Sequence, residues 1–206
     1  GYSNIAIGCA AIFGIKLTQN FASPYQAASI SEFWRRWHIS LSSFLKDYIY
    51  IPLGGSRCGT FRKCLNTMIV FLLCGMWHGS GLNFVVWGLL HGLYSVIGTF
   101  LPSGRKYRIL TFFEAALAWI FFRAESLSQA LSYLRRMVTA GLQPGSFSRS
   151  LKLLELDPAE IVVVTVSILL ILLIDELCSR KKVSLPLLIQ EKPNAARYLI
   201  FYLLLI

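Results

Sequence analysis

Residues 82–101, LNFVVWGLLHGLYSVIGTFL, run from end to end without an Asp, Glu, Lys or Arg. An α-helix rises ~1.5 Å per residue and the hydrocarbon core of a bilayer is about 30 Å thick, so a run of this length spans it. Within lipid the backbone must satisfy its own hydrogen bonds, and for a single segment only a helix does so. Five shorter apolar stretches accompany this one, at 4–17, 65–78, 109–122, 160–174 and 198–206, with nearly all the charge between them. The shorter runs predict helices that are tilted, broken or completed by flanking residues. The expected fold is therefore all-α: a multi-pass transmembrane protein with an interfacial amphipathic helix and short or re-entrant helices around a buried cavity. The balance of 55% hydrophobic to 15% charged residues, with a mean hydropathy of +0.59, is too apolar for an ordinary soluble domain.

A net charge of +10 would suggest nucleic acid in a soluble protein. Here the Lys and Arg residues cluster in short segments between apolar runs, the pattern of positive-inside loops of a membrane protein. The expected surroundings are membrane lipid, with no nucleic acid. The five cysteines are scattered, with neither a disulfide framework nor zinc spacing, and no two histidines stand at i, i+4, so no metal site is expected. The sequence opens at GYSNIAIG without Met and stops within YLIFYLLLI. It reads as a fragment of one membrane-embedded domain over 1–206, with its motifs in 1–137 and C-terminal membrane helices in 160–206.

The segment SISEFWRRWHISLSSFLKDYIY places Ile30, Phe33, Trp34, Trp37, Leu41, Phe44, Leu45 and Tyr48 on one helical stripe. Ser29 and Glu32 have capping-box spacing, and Glu32 reaches Arg36 at i+4. One helix is expected from Ser29 to the turn at IPLGGSRCG, either lying at the membrane interface or packed on other helices. Arg57, Arg62 and Lys63 precede the run that ends at His78, and Arg105, Lys106 and Arg108 follow the next run. The two runs form a hairpin whose outer ends face the cytoplasm. Residues 65–78 make only ~20 Å of helix, so the WHGSG turn should fall short of the opposite surface and His78 should line a cavity. Gly75, Gly79 and Gly81 would leave room there for a ligand.

Of the other histidines, His91 lies mid-span with Gly88, Gly92 and Ser95 on one side of its helix, which fits a packing seam and a structural role. His38 flanks the apolar stripe, and its spacing leaves open an interfacial anchor or a site residue. Glu114 is an acid inside an apolar run, expected to be neutral or paired with Arg123 or a histidine. These residues alone also fit a non-enzymatic transporter or scaffold subunit with proton-relay or structural histidines.

GYSNIAIG, SISEFWRRWHISLSSFLKDYIYIPLGGSR, GMWHG, WGLLHGLY and WIFFRAESLSQAL follow one another in an order that resembles the membrane-bound O-acyltransferase family. The likeness is narrowest to its bacterial alginate O-acetyltransferase-like branch, and it covers about residues 1–137. The resemblance implies an acetyltransferase that binds no cofactor and takes acetyl from cytoplasmic acetyl-CoA for an extracytoplasmic polysaccharide or peptidoglycan. A periplasmic or cell-surface acetyltransferase partner is implied too. Carried over by motif, His78 of WHG is the catalytic histidine and His38 of RWHISLS the second. Trp77, Trp34, Arg35 and Arg36 are expected to bind substrate, with the basic stretch either attracting the phosphates of coenzyme A or only setting topology. The family's opening motif usually reads Gly-Tyr-Ser-Asp; Asn4 stands here in place of the acid. Relatives of about twice this length imply a further N-terminal group of membrane helices.

Overall fold

The computed structural model describes residues 2–101, 104–141, 145, 157–181, 189, 192–195 and 197–198. Regular structure among them is helical, apart from one isolated antiparallel bridge between Phe21 and Trp37. In chain order the helices are α1 (Tyr2–Ile12), α2 (Ile30–Arg36), α3 (Ile39–Leu45), α4 (Gly59–His78), α5 (Leu82–Phe100), α6 (Arg108–Arg123), α7 (Leu127–Gly141) and α8 (Pro158–Lys181). The chain divides into two units, residues 1–146 and 147–206. The all-α expectation holds. Among the described residues, two helices are long and apolar enough to cross a membrane, Leu82–Phe100 and Pro158–Arg180. The expected run at 198–206 lies, beyond Tyr198, outside the described residues.

In the first unit, α4 and α5 form an antiparallel hairpin whose closeness depends on glycine. A Cβ on Gly75 would collide with the Phe84 carbonyl oxygen, and one on Gly88 with the Phe71 carbonyl oxygen. At Gly92 it would come within 2.9 Å of the Met68 sulfur. Between apolar helices in lipid the hydrophobic effect supplies little drive, and close van der Waals packing through small residues replaces it. The seam expected around His91 is thus observed, with Gly88, His91, Gly92 and Ser95 all buried.

Two buried asparagines tie the hairpin to its surroundings. The Asn66 amide donates to the carbonyls of Leu53 (3.1 Å) and Gly55 (3.2 Å), clasping the IPLGG turn to α4. In that turn Gly54 and Gly55 have φ of 101° and 57°, which a side chain rarely adopts. At the other end of the hairpin, Asn83 donates to the carbonyls of Phe121 (3.3 Å) and Ala124 (2.9 Å). It thereby satisfies acceptors that the end of α6 leaves open.

The single helix expected from Ser29 onward is instead two. The start is as read: Ser29 Oγ accepts from the Glu32 amide (3.2 Å), Glu32 accepts from the Ala28 amide (2.9 Å), and Arg36 pairs with Glu32 at 2.6 Å. The helix then stops at Arg36. Trp37 is extended and bridged to Phe21, and His38 takes φ 45°, ψ 54° before α3 begins. The helical spacing of the apolar residues runs on in the sequence past this break and does not register it, but the expected single stripe is not kept: Leu45 is buried while Phe44 and Tyr48 are exposed. In the second unit, α8 exposes Val162, Val163, Ile168, Leu169 and Ile171 around its circumference, the pattern of a helix bathed in lipid.

Candidate active site

His78 is the last residue of α4. Its imidazole is half-buried among the edges of three aromatic rings: Trp77 at 4.8 Å, Phe122 at 5.0 Å and Trp87 at 5.1 Å between centroids. Phe122 stands there because Asn83 holds the carbonyls on either side of it. No hydrogen bond to the imidazole is made by the described residues.

His38 approaches from the break between α2 and α3. Its backbone lies in the left-handed region, which costs a non-glycine residue ~1–2 kcal/mol and persists only where the surroundings impose it. Here they do. The Ala22 amide donates to the Arg36 carbonyl (2.9 Å) and the Ile39 amide to the Asn20 carbonyl (3.1 Å). Asn20 Oδ1 accepts from both the amide (2.9 Å) and the hydroxyl (2.7 Å) of Ser40. The His38 ring lies 6.5 Å from Trp77, and its Nδ1 is buried without a partner among the described residues. Trp77, itself 65% exposed, therefore stands beside both histidines.

His91 is wholly buried. It accepts at Nδ1 from the Trp34 indole N–H (3.3 Å), stacks on Phe33, and lies 5.0 Å from Trp87. Its place is in the packing that supports His78 from behind, in keeping with the structural role read from its spacing.

The basic residues gather at the opposite end of α4. Arg35, Lys46 and Lys63 rim a groove of about 380 Å³ whose floor is Trp34, Val70 and Phe71. Of the expected binding residues, Trp34 and Arg35 line this groove. Arg36 does not; it is engaged with Glu32. Burial opposes the charge on Glu32, but the Ala28 amide and the Arg36 guanidinium more than offset it, holding the carboxyl below the usual range.

Several expectations are corrected. The glycines near His78 do not open space for a ligand: a Cβ at Gly79 would lie 2.5 Å from the Phe84 ring, and one at Gly81 would strike Asn83. They let the turn close. α4 begins at Gly59, so it is about 30 Å long rather than ~20 Å, although the first turns carry Arg62 and Lys63. Of the two alternatives for Glu114, a pair with Arg123 or a histidine is not made among the described residues, which leaves the neutral carboxyl. It faces a space of about 30 Å³, room for a water, lined also by Ser29, Tyr94 and Tyr107.

Sequence reasoning missed Asn20, Asn83, Trp87 and Phe122. Trp87 sits four residues before His91, on the same helical face, and that spacing was a usable signal. For the other three, partners 20 to 44 residues distant leave no local trace.

The membrane-bound O-acyltransferase family profile matches residues 1–139. The chain is 48% identical to a peptidoglycan O-acetyltransferase of Helicobacter pylori, over 67% of this chain and 28% of that protein. It is 40% identical to a probable alginate O-acetylase of Pseudomonas aeruginosa, over 71% of this chain and 32% of the relative. A teichoic acid D-alanyltransferase of Bacillus subtilis is 30% identical over 53% of the chain and 30% of its own length. The chain thus spans roughly a third of the length of these curated relatives. With the profile covering well over half of its residues, the chain belongs to the membrane-bound O-acyltransferase family.

Proposed function

We propose that the protein containing this chain is a multi-pass inner-membrane O-acyltransferase that moves acetyl from cytoplasmic acetyl-CoA toward an extracytoplasmic polysaccharide or peptidoglycan. The observation that carries this reading is the position of His78. Its imidazole is half-exposed and without a hydrogen bond from the described residues, at one end of α4. A groove rimmed by Arg35, Lys46 and Lys63 lies at the other end. Lys63 and His78 are 15 residues apart on one helix, about 22 Å. A donor with its phosphates at the groove needs a long flexible arm to bring its acyl group to His78, and coenzyme A carries one. The acyl groups named for the relatives, acetyl on peptidoglycan and alginate and D-alanyl on teichoic acid, are small enough for such delivery.

In the reaction, an acceptor hydroxyl attacks the thioester carbonyl while His78 takes its proton. The carbon–oxygen bond forms, the carbon–sulfur bond breaks, and the imidazolium returns the proton to the departing thiolate. A neutral imidazole suits this exchange near pH 7, and a well-placed general base is worth ~10²–10⁴ in rate, or ~3–5 kcal/mol. Trp77 stands where it would contact the acceptor or acyl group beside His78 and His38. Trp34 and Arg35 hold the donor end, and Arg36 acts by bracing α2. The acceptor at the outer face is the glycan itself or a periplasmic or cell-surface acetyltransferase that passes the acetyl on.

The test is acetyl transfer from labelled acetyl-CoA in proteoliposomes holding the whole protein. His78→Ala should lower the rate ~10²–10⁴-fold while the protein still inserts and accumulates, since the ring is only half-buried. Near-normal transfer by this variant would remove His78 from the chemistry.

A further inference from the structure

We infer that Asn20 is a positioning residue for the acyl-transfer site: from the segment before α2 it caps α3 across the helix break and holds His38 in its left-handed conformation. The inference rests on the proposed reading of His38 and His78 as site residues.

α3 has no side-chain cap of its own, because the residue at its N-cap position is His38, whose imidazole makes no capping bond. An N-cap is normally a Ser, Thr, Asp or Asn that accepts from the second or third amide of its own helix. At α3 that acceptor is supplied from 20 residues away. Asn20 Oδ1 takes the Ser40 amide at 2.9 Å and the Ser40 hydroxyl at 2.7 Å, and the Asn20 carbonyl takes the Ile39 amide at 3.1 Å. Three bonds to one residue thus grip the two positions directly after His38. The Phe21–Trp37 bridge grips the position before it, with the rings at 4.9 Å. The arrangement frees His38 from capping its own helix and leaves the imidazole to turn toward Trp77. With a local cap in place of the histidine, α3 would start as well, but no imidazole would stand at the break.

Asparagine fits this task for a specific reason. Its oxygen accepts both Ser40 bonds, and Asp would accept them equally, whereas Ala and Leu offer no acceptor. Asn20→Ala keeps the backbone bond to Ile39 and the Phe21–Trp37 bridge, so the segment still folds while the left-handed residue loses part of what holds it.

The experiment measures acetyl transfer and hydrogen exchange on the whole protein with Asn20→Ala and Asn20→Asp. Expected for Asn20→Ala are faster exchange at Ser40 and a ~10–100-fold fall in kcat with KM for acetyl-CoA little changed, the cost of a misplaced group near reacting atoms. Asn20→Asp should restore both. Faster exchange with unchanged kcat would overturn the inference, since the cap would then be structural only. Unchanged exchange in Asn20→Ala would overturn it too. A wild-type protein without acyl transfer under the same conditions would instead count against the proposed function, so the two failures are distinguishable.

Discussion

Gly88→Ala and Gly98→Ala place the same methyl group on the same helix, and the structure assigns them opposite effects. Alanine is favoured over glycine in a helix interior by about 1 kcal/mol, and both sites gain this. At Gly98 the new Cβ meets nothing within 4 Å, so the gain is kept. A gain of that size raises the Tm by ~2–4 °C for a protein of 150–250 residues. At Gly88 the Cβ falls on the Phe71 carbonyl oxygen and within 3.2 Å of Gly75 Cα and N. Backbone atoms cannot swing aside, so α4 and α5 must separate. Overpacking of this kind costs about 1–3 kcal/mol, leaving Gly88→Ala neutral to ~2 kcal/mol destabilised. The two variants should therefore differ by ~1–3 kcal/mol, or about 2–12 °C in Tm, measured by tryptophan fluorescence on heating in detergent. Because Gly75 and Gly88 meet each other, Gly75→Ala with Gly88→Ala should cost less than the sum of the two. Equal shifts for Gly88→Ala and Gly98→Ala would refute the claim that glycine contact sets the spacing of the hairpin.

Two further predictions concern charge. Glu32 has a folded-state pKa below its ordinary value, so its contribution is present above the unfolded pKa near 4.5 and is lost as pH falls through the lower folded value. Glu32→Gln should lower stability by ~0.5–1 kcal/mol at pH 7 and by nothing measurable once the wild-type carboxyl is protonated; an equal deficit at both pH values would contradict the ionic brace. Lys63 and Arg105 flank the same end of the α4–α5 hairpin, so cysteines placed at 63 and 105 should label from the cytoplasmic side alone, and labelling from opposite faces would break the topology.

Much of this was written in local patterns. The charge-free run at 82–101 marked α5, and the Ser29, Glu32 and Arg36 spacing marked the start of α2. The glycines and Ser95 around His91 marked the packing seam. Helix periodicity and capping act over a few residues, so these features survive in the sequence alone. The break at His38 did not, because the helical spacing of apolar residues runs on past it and the force that opens the helix comes from Asn20 and Phe21.

The sequence by itself determined a helical, lipid-compatible chain and named His78 and His38 through motifs that keep their order. Only the tertiary structure decided what surrounds them: the rings of Trp77, Trp87 and Phe122 around His78, and a left-handed backbone at His38. It also decided that the basic groove stands at the far end of α4, with Arg35 on its rim and Arg36 turned to Glu32. The reason is physical. A periodic pattern tells which face of a helix avoids water, whereas the neighbour that fills a given space is chosen by contacts between residues 20 to 60 positions apart, such as Asn20 with Ser40, Asn83 with Ala124 and Trp34 with His91.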